Sequence, residues 1–411
     1  MDVRIYPSET RGSVDIPVSK SVMHRALICA SFSPHPVRIF YSGDLPEDVL
    51  ATIGALRCVG CSVTVGSGYA DICSAEVPTR GVTDCLRSAS TLRFMLPLAA
   101  AKGAGTVFMR DGRLAERPVE NLLAEMERHG VRVQRDPLAV SGKLAPGVYS
   151  VPSDVTSQYL SGLMMALAFT GGKSRLIPST RTASAGYVEL TLSVMRDFGI
   201  SVVHDPDGSF TVDGSGYAPP REYFCEGDWS SAAFMLAAGA ISGSCAVRGL
   251  RADSLQPDRE ILNVLEAMGA QLSMTPGEIK VNRKSLRGIR TDCDGTPDLV
   301  PVIAALAANA SSGSVMTGVG RLRYKESDRL KALCEGLSSM GCGVEISEDE
   351  IRITPLESRE FTADSFGDHR IAMAMAVASL GCGCVIRDAQ AVDKSYPDFY
   401  KDLERLGVRL G

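Results

Sequence analysis

Residues 56–65 read LRCVGCSVTV, a pattern that the chain repeats five more times. In each copy an amphipathic stretch ends at a glycine, and a run with strand-like alternation follows. The other copies are MERHGVRVQR (126–135), MRDFGISVVH (195–204), EAMGAQLSM (266–274), SSMGCGVEI (338–346) and LERLGVRLG (403–411). A glycine after the last helical turn is typical of a left-handed C-cap that leads into a strand. The sequence therefore predicts one structural repeat copied six times.

The six glycines are separated by nearly constant intervals. The steps are 70, 69, 70, 72 and 66 residues between Gly60, Gly130, Gly199, Gly269, Gly341 and Gly407. Such periodicity first suggests a solenoid, but about 70 residues is long for that class. A chain of 411 residues is expected to form two or three domains. Six repeats therefore divide naturally into three plus three.

A second series of segments, in phase with the first, predicts buried helices. These segments begin at Lys20, Ser90, Ser157, Ser230, Pro297 and Asp368. Most begin with residues that cap free backbone N–H groups, and each is apolar on almost every face. Each repeat should then run as strand, buried helix, strand, exposed amphipathic helix, strand. The predicted fold is α/β (α+β), with sheets wrapped around bundled helices.

Composition excludes several classes of function. The net charge is −5, with 43 basic and 48 acidic residues mixed along the chain, so no basic surface for nucleic acid or membranes is predicted. The longest apolar stretches stop near ten residues, whereas a bilayer span needs about 20. The twelve scattered cysteines and five histidines favour reduced thiols in a cytoplasm and no metal site. The Cys58/Cys61 pair lacks a companion pair and straddles Gly60, so we do not interpret it as a metal or redox motif.

Cations and hydroxyls gather near the starts of the buried helices. They are Lys20, Ser21, Arg25, Ser90, Thr91, Arg93, Thr156, Ser157, Gln158, His369 and Arg370. Helix N-termini bind phosphate and carboxylate groups well, so starts that converge on one cleft would form an anion site. The connecting segments add Arg117, Lys325, Arg329 and Lys394.

Two carboxylates, Asp298 and Glu326, lie among these cations. In such surroundings one carboxylate can take a proton from a hydroxyl while a second is tuned to donate one. The simpler alternative is that Asp298 only begins a helix. The pairing indicates acid and base chemistry on an anionic small molecule.

Eight segments in this order carry a family resemblance: VSKSVMHRAL, STLRFML, ERP, TSQYL, TPDLVP, RYKESDRL, GDHRIAMA and DKSYPDF. Together they resemble the 5-enolpyruvylshikimate-3-phosphate (EPSP) synthase family across essentially the whole chain, and KESDRL followed by DHRIAMA is the most specific part. The resemblance implies transfer of the enolpyruvyl group of phosphoenolpyruvate to the 5-hydroxyl of shikimate 3-phosphate, with release of phosphate. It also implies no cofactor and no metal, and we expect a cytoplasmic monomer that binds neither nucleic acid nor membranes.

The same resemblance implies a two-domain inside-out α/β barrel with three repeats in each domain. One domain would comprise residues 1–18 and 227–411, and the other residues 19–226. The active site would lie in the cleft between them.

Site residues follow from the resemblance, position by position. The shikimate 3-phosphate contacts would be Lys20, Ser21, Arg25, Thr156, Ser157, Ser184, Tyr187, Asp298, Arg321 and Lys325. The phosphoenolpyruvate contacts would be Lys20, Ala89, Arg93, Arg117, Gln158, Arg329, Arg370 and Lys394. Asp298 would act as the base that removes the hydroxyl proton. Glu326, helped by Lys20, would protonate the methylene carbon.

Three positions depart from the family pattern. Residues 87–90 read Arg-Ser-Ala-Ser where Asn-Ala-Gly-Thr or Asn-Ser-Gly-Thr is usual, Arg321 stands where an Asn often contacts the phosphate, and Thr156 replaces Ser. The methyl group of Ala89 should narrow the phosphoenolpyruvate pocket, which predicts weaker inhibition by the bulkier mimic glyphosate. None of the changes removes a proton-transfer group, so activity should survive.

Three alternatives are open. UDP-N-acetylglucosamine 1-carboxyvinyltransferases share the six-repeat design but carry Lys-Asn near the start and a loop cysteine, where this chain has Lys20-Ser21 and no cysteine between Gly105 and Pro118. RNA 3′-terminal phosphate cyclases need a nucleophilic histidine, for which His369 is available. A non-catalytic repeat scaffold would not need Lys325, Glu326, Asp328 and Arg329 at one helix start.

Overall fold

The computed structural model describes residues 1–75 and 81–411. The described residues form these helices: α1 (Lys20–Ala30), α2 (Glu47–Cys58), α3 (Ala89–Lys102), α4 (Glu120–Arg128), α5 (Gln158–Leu167), α6 (Gly186–Asp197), α7 (Trp229–Ser242), α8 (Ile261–Met268), α9 (Val300–Ala308), α10 (Arg329–Met340), α11 (His369–Ala378) and α12 (Phe399–Arg405). Short 3₁₀ turns cover Gly112–Glu116, Gly214–Gly216, Pro257–Glu260, Gly320–Tyr324, Ser379–Gly381 and Ala389–Lys394.

The strands alternate with these helices along the chain. In order they are β1 (Val3–Ile5), β2 (Ser13–Asp15), β3 (Val37–Phe40), β4 (Cys61–Gly66), β5 (Tyr69–Ser74), β6 (Gly81–Asp84), β7 (Thr106–Met109), β8 (Val131–Arg135), β9 (Leu138–Gly142), β10 (Val148–Val151), β11 (Ser174–Pro178), β12 (Ser201–His204), β13 (Phe210–Asp213), β14 (Glu222–Phe224), β15 (Ser244–Arg248), β16 (Gln271–Thr275), β17 (Glu278–Asn282), β18 (Arg290–Asp292), β19 (Ser314–Thr317), β20 (Gly343–Ile346), β21 (Glu350–Thr354), β22 (Phe361–Asp364) and β23 (Cys384–Arg387).

All six predicted repeats are present, and each contributes one sheet. The second repeat shows the pattern: β6 pairs in parallel with β7 across the buried helix α3, and after α4 the hairpin of β8 and β9 adds antiparallel to β7. The prediction of a single strand after the amphipathic helix was incomplete, because a two-stranded hairpin follows it. In the first repeat Gly68, with φ of 76°, lies in the tight turn between β4 and β5.

The chain divides into two compact units. The central unit comprises residues Ser19–Tyr41 and Glu47–Cys225 and holds the sheets β14-β3-β5-β4, β6-β7-β9-β8 and β10-β11-β13-β12. The terminal unit comprises Met1–Val18, Ser42–Pro46 and Glu226–Gly411 and holds β16-β17-β15-β2, β18-β19-β21-β20 and β1-β23-β22.

The first strands of the chain belong to sheets formed late in the sequence. Strand β2 pairs in parallel with β15, with Val14 opposite Val247, and β1 pairs antiparallel with β23. Leu410 forms a further bridge to Ile5. The N-terminal residues therefore complete two of the three sheets in the terminal unit.

The six repeat glycines adopt the predicted left-handed conformation. Their φ angles lie between 73° and 116°, a region where residues with a Cβ are strained. Gly269 and Gly341 directly cap α8 and α10. This part of the sequence prediction is confirmed.

The buried helices form the core of each unit, as the sequence predicts. Every residue of α9 is buried, and so is every residue of α11. Each large apolar side chain removed from water contributes about 1.5–3 kcal/mol, so these helices hold their first turns in fixed positions. In the described part of the chain, no helix has the length and apolarity needed to span a bilayer.

Candidate functional site

The terminal unit gathers charged side chains around the buried guanidinium of Arg329, which is 1% exposed. Its Nε donates to Asp368 Oδ2 at 2.8 Å, Nη1 to Asp298 Oδ1 at 2.8 Å and Nη2 to Glu326 Oε2 at 2.8 Å. Burial alone would lower the pKa of Arg329, but the three carboxylates outweigh burial and raise it. We call the set of Asp298, Lys325, Glu326, Arg329, Asp368, Arg370 and Lys394 the terminal cluster.

Asp298 is surrounded by cations. Besides Arg329, Lys325 Nζ lies 3.3 Å from Oδ1 and Arg370 Nη2 lies 3.2 Å from Oδ2. Arg370 Nη1 also donates to the backbone oxygen of Asp298 at 3.1 Å. Burial acts to raise the pKa of Asp298, but the charges of Arg370, Lys325 and Arg329 overcome it and hold that pKa well below its usual range. Asp298 is therefore an ionised carboxylate at neutral pH.

Glu326 lies between two cations of the same cluster. One oxygen accepts from Arg329, and the other lies 3.6 Å from Lys394 Nζ. Lys394 ends the 3₁₀ turn Ala389–Lys394 and is buried. The cluster thus links the loops before α9 and α10, the start of α11 and the segment that follows β23.

Helix caps fix this geometry locally. Asp328 accepts from the backbone N of Lys331 at the start of α10, and Asp368 accepts from the backbone N of Arg370 at the start of α11. Asp368 also accepts from Ser327 Oγ at 3.1 Å, so one buried carboxylate connects both helix starts. These contacts hold Arg329 and Arg370 next to Asp298.

Arg321 precedes Lys325 of this cluster by four residues and lies on the 3₁₀ turn Gly320–Tyr324. Its Nη2 donates to the backbone oxygen of Asp294 at 2.6 Å and to Asp294 Oδ1 at 2.9 Å. The side chain is 20% exposed. A phosphate would therefore have to compete with Asp294 for this guanidinium.

The central unit has its own set of cations, and Arg25 and Arg93 are the most buried of them. Arg25 is 3% exposed and donates to Thr191 Oγ1 at 2.7 Å, to the backbone oxygen of Ser21 at 2.8 Å and to that of Tyr187 at 3.2 Å. Burial lowers the pKa of Arg25 to about 10, so it stays charged at neutral pH. Among the residues that the structure describes, its partners are all neutral. A buried cation with neutral acceptors is suited to take an anion.

Lys20 is held differently, because it has a carboxylate partner. Its Nζ lies 2.8 Å from Asp48 Oδ2, and both side chains are largely buried. Lys20 is the first residue of α1, and Asp48 is the second residue of α2. The pair therefore joins the first turns of two helices in the first repeat.

Arg93 joins the first turns of α3 and α5. Its Nη1 donates to Gln158 Oε1 at 2.7 Å, and Gln158 Nε2 donates to Ser90 Oγ at 2.9 Å. Nη2 of Arg93 donates to the backbone oxygen of Pro118 at 3.0 Å. Burial raises the pKa of Tyr159, and the charges of Arg93 and Arg117 both oppose that rise. Ala89, the first residue of α3, is buried in the same turn. We call Lys20, Ser21, Arg25, Asp48, Ala89, Ser90, Arg93, Arg117, Gln158 and Tyr187 the central cluster.

The remaining predicted residues of the central unit lie at the starts of α5 and α6. Thr156 Oγ1 accepts from the backbone N of Gln158 at 3.2 Å, and Ser157 is the buried residue before α5. Ser184 has a φ of 52°, a conformation that costs a non-glycine residue of the order of 1–3 kcal/mol. Its backbone oxygen accepts from the N of Tyr187, which closes the first turn of α6.

Buried hydroxyls connect three of these helix starts. His24 Nδ1 lies 2.8 Å from Thr52 Oγ1, which lies 2.7 Å from Thr91 Oγ1, and Thr91 bonds Ser88 Oγ at 2.9 Å. Burial lowers the pKa of His24 to about 3, so the imidazole stays neutral. The network fixes α1, α2 and α3 relative to one another.

The structure adds residues that the sequence analysis left out of the site. Asp48 and Asp368 each anchor a predicted cation, and Ser90 holds Gln158. Asp48 stands in the first turn of an amphipathic helix, where an acidic residue usually serves the helix dipole, so the sequence offered no distinguishing signal. Asp368 was detectable, since it stands two residues before Arg370 at a helix start.

No cluster of three or more His, Cys, Asp or Glu with metal-ligand geometry occurs within residues 1–75 and 81–411. The carboxylates of the terminal cluster are instead neutralised by Arg and Lys side chains. The arrangement is one for binding anions and moving protons.

The chain is similar to known proteins over its whole length. Residues 6–403 match the family described as EPSP synthase (3-phosphoshikimate 1-carboxyvinyltransferase). The chain is 37% identical to the 3-phosphoshikimate 1-carboxyvinyltransferase of Clostridium kluyveri and 35% identical to that of Clostridium novyi, in each case over 99% of this chain and 98% and 97% of the relative.

Solved structures show the same fold. An EPSP synthase from Acinetobacter baumannii superposes with a TM-score of 0.82 at 23% identity, covering 100% of this chain and 99% of that one. The enolpyruvyl transferase NikO from Streptomyces tendae superposes with a TM-score of 0.78 at 17% identity, covering 100% and 98%. The inside-out α/β fold that the sequence predicts is thereby confirmed. The whole-length family match, at these identities, shows that the chain belongs to the EPSP synthase family.

Proposed function

We propose that the protein transfers the enolpyruvyl group of phosphoenolpyruvate to the 5-hydroxyl of shikimate 3-phosphate and releases phosphate. The observation that carries the proposal is the ionised Asp298 between Lys325, Arg329 and Arg370. A carboxylate that is surrounded by cations can lie next to an anionic substrate and accept a proton from its hydroxyl group. This is the reaction that the names of the family and of the relatives describe.

The charges of the two clusters suit these substrates. In the terminal cluster four cations, Lys325, Arg329, Arg370 and Lys394, outnumber three carboxylates. In the central cluster Lys20, Arg25, Arg93 and Arg117 accompany the one carboxylate Asp48. Two carboxylates and two phosphate monoesters bring roughly −5 to −6. Without this excess of cations, repulsion between the substrates would oppose binding.

For shikimate 3-phosphate we assign the residues that the family pattern gives. Arg25 and Ser184 would hold the ring carboxylate, which is supported by the neutral partners of the Arg25 guanidinium. Thr156 and Ser157 would hold the phosphate at the start of α5, where helix N–H groups favour an anion. Lys20, Ser21, Tyr187, Asp298, Arg321 and Lys325 complete the set.

For phosphoenolpyruvate the proposed contacts are Lys20, Ala89, Arg93, Arg117, Gln158, Arg329, Arg370 and Lys394. The buried hydrogen bonds of Arg93 to Gln158 and Pro118 support a fixed guanidinium there. Arg329 and Arg370 are also fixed, by Asp298 and Asp368. Such preorganised donors stabilise the charge that develops as the substrates react.

In the proposed mechanism the 5-hydroxyl oxygen attacks C2 of phosphoenolpyruvate and gives its proton to Asp298. Protonated Glu326, helped by Lys20, donates a proton to the methylene carbon, which leaves a tetrahedral ketal. The C2–O bond to phosphate then breaks, Glu326 takes a proton back from the new methyl group, and the proton on Asp298 leaves with phosphate. Each well-placed proton transfer contributes about 10²–10⁴ in rate.

Substrate binding would also change the pKa of Asp298, the proposed base. In the free protein the charges of Arg370, Lys325 and Arg329 keep the pKa of Asp298 too low for a strong base. The phosphate and carboxylate groups of the substrates offset those cations, which raises the pKa of Asp298 when the proton must be taken. The base is thus activated only in the ternary complex.

Phosphate release tests the proposal directly. The purified protein is mixed with phosphoenolpyruvate and either shikimate 3-phosphate or UDP-N-acetylglucosamine, and inorganic phosphate is measured. We expect release only with shikimate 3-phosphate, and release only with the nucleotide sugar would overturn the assignment. The nucleotide-cyclase alternative is disfavoured by His369, whose side chain is 1% exposed and so poorly placed as a nucleophile. A monomeric state and a cytoplasmic location stay predictions from the sequence.

Arg25→Gln should weaken binding of the acceptor substrate selectively. The variant keeps hydrogen-bonding capacity but loses the buried charge, and a charged hydrogen bond contributes about 1.5–3 kcal/mol. We therefore expect the KM for shikimate 3-phosphate to rise roughly 10- to 100-fold, with a much smaller change for phosphoenolpyruvate. Steady-state kinetics with each substrate varied in turn will show this, and an equal rise in both KM values would contradict the assignment.

Ala89→Gly should make the enzyme more sensitive to glyphosate. Ala89 is buried in the first turn of α3, next to the hydroxyl that holds Gln158, so its methyl group occupies space in the proposed phosphoenolpyruvate site. Removing the methyl group should lower the inhibition constant for glyphosate without a comparable change in KM. Equal inhibition constants for the two proteins would show that Ala89 does not limit the pocket.

A further inference from the structure

Arg117 lies at the end of an exposed loop. In residues 111–118 Leu114 is buried and Arg117 is half-buried, whereas the other six residues are exposed. The loop contains the 3₁₀ turn Gly112–Glu116, and the backbone N of Arg117 donates to the oxygen of Leu114 at 3.3 Å. Exposed segments with few buried contacts open more readily than a core, so the position of Arg117 depends on how this loop is anchored.

The anchor is a backbone oxygen directly after Arg117. The oxygen of Pro118 accepts from Tyr159 Oη at 2.6 Å, from Arg93 Nη2 at 3.0 Å and from Arg93 Nε at 3.3 Å. Donors from the buried helices α3 and α5 therefore converge on the peptide group that follows Arg117. The bond from the tyrosine hydroxyl is the shortest of the three.

Tyr159 also contacts the guanidinium of Arg93. The Cζ atom of Arg93 lies 5.6 Å from the centroid of the Tyr159 ring, within the range of a cation–π interaction. Tyr159 is 1% exposed and follows Gln158, which accepts from Arg93 Nη1 at 2.7 Å. Burial raises the pKa of Tyr159, so its hydroxyl group stays a donor at neutral pH. One side chain thus contacts Arg93 directly and Arg117 through the neighbouring peptide.

We propose that Tyr159 is a positioning residue that fixes Arg93 with its ring and Arg117 through the Pro118 oxygen, so that both guanidinium groups are placed for phosphoenolpyruvate. The proposal rests on the proposed function, in which these two arginines bind that substrate. Groups that are fixed before a ligand arrives bind it with a smaller loss of conformational entropy. Tyr159 acts through the arginines and is not assigned a substrate contact of its own.

Tyr159→Phe removes the hydroxyl group and keeps the ring over Arg93. We expect the KM for phosphoenolpyruvate to rise about three- to tenfold, the equivalent of one lost hydrogen bond. The KM for shikimate 3-phosphate should stay nearly unchanged. Tyr159→Leu also removes the ring and should raise the KM for phosphoenolpyruvate further. Steady-state kinetics with each substrate varied in turn measures both constants.

A double-mutant cycle tests whether the hydroxyl group acts through Arg117. Tyr159→Phe should lower kcat/KM for phosphoenolpyruvate about three- to tenfold in the wild-type background, but less than about twofold in the Arg117→Ala background. A tyrosine with a merely structural role would lower kcat/KM by the same factor in both. Tyr149→Phe is the matched control, since Tyr149 is fully buried, donates its hydroxyl to the backbone oxygen of Ala145 and lies outside both clusters.

Trypsin cleavage provides a readout that does not depend on the reaction. Arg113 lies in the exposed part of the loop, and proteases cut segments that open locally. Weaker anchoring at Pro118 should therefore speed cleavage after Arg113 several-fold in Tyr159→Phe, without substrates present. Tyr149→Phe should be cut there at the wild-type rate.

The outcomes separate the two proposals. No phosphate release by the wild-type protein would overturn the proposed function, whereas cleavage after Arg113 would still show whether the hydroxyl group anchors the loop. With an active wild-type protein, an unchanged KM for phosphoenolpyruvate in Tyr159→Phe would overturn the role of Tyr159 alone. Equal rises in both KM values, or equal factors in the two backgrounds of the cycle, would overturn it as well. If Tyr159→Leu does not fold, Tyr159→Phe decides.

Discussion

Asp298→Asn is expected to lower kcat by about 10³-fold, within the range that a general base contributes, while binding of shikimate 3-phosphate persists. Asparagine keeps an oxygen that can accept from Arg329, and the backbone oxygen that accepts from Arg370 is unchanged. The geometry of the cluster should therefore survive. What is lost is the group that takes the hydroxyl proton.

The charge change makes this prediction sharp. Removing one carboxylate leaves the terminal cluster more positive, so phosphoenolpyruvate should bind at least as tightly as in the wild-type protein. A fall in kcat without a rise in either dissociation constant is the signature of an interaction that acts on the transition state. Phosphate release gives kcat, and calorimetric titration with each substrate gives the dissociation constants. Turnover within tenfold of wild type would remove Asp298 from the base role. Glu125→Gln is the control, since Glu125 is a buried carboxylate bonded to the backbone N of Ser150 and lies outside both clusters.

Much of the fold could be predicted from the sequence because each repeat is marked by local sequence patterns. The left-handed glycines and the apolar helices depend on neighbouring residues, so Gly269 and Gly341 could be placed at helix ends from the sequence. The hairpins were not predicted: β4 ends at Gly66 and β5 begins at Tyr69, so a turn at Ser67 and Gly68 reverses the chain within what the repeat pattern was taken to give as one strand. The ninth helix also begins later than predicted: it starts at Val300, which leaves Asp298 in the loop before it.

The candidate site could be predicted from the sequence only in part, because its ion pairs are set by tertiary packing. Cations such as Arg329 and Arg370 stand in motifs at helix starts, whereas several counter-charges of the predicted cations lie many residues away in the sequence. Asp48 lies 28 residues from Lys20, and Asp368 lies 39 residues from Arg329. Those pairings depend on how the helices pack, which local pattern does not encode.

Arg329→Met is expected to destabilise the protein by about 3–5 kcal/mol, because it leaves Asp298, Glu326 and Asp368 without their shared cation. Arg329 is almost fully buried and bonds all three carboxylates within 2.8 Å. Methionine fills a similar volume, so the loss should come from uncompensated charge more than from a cavity. Urea unfolding at pH 7 should show the reduced free energy of unfolding.

The pH dependence distinguishes charge from packing. In the wild-type protein the pKa of Asp298 is depressed, so its contribution to stability is present above the unfolded pKa of about 3.9 and is lost as the pH falls through the folded value. In Arg329→Met three neighbouring carboxylates lack their shared cation, so keeping them charged in the folded protein costs free energy that the binding of protons relieves. Their effect then has the opposite sign: the variant gains stability as the pH falls, and the gap to the wild-type protein should narrow from pH 7 to pH 5.

Arg329→Lys provides the comparison. Lysine keeps the charge but cannot reach three carboxylates with one planar group, so we expect an intermediate loss of stability with a weaker dependence on pH. A gap between Arg329→Met and the wild-type protein that stays constant from pH 7 to pH 5 would show that Arg329 acts through packing. A gap that closes shows that this guanidinium acts through its charge, by compensating the carboxylates that it bonds at one buried helix start.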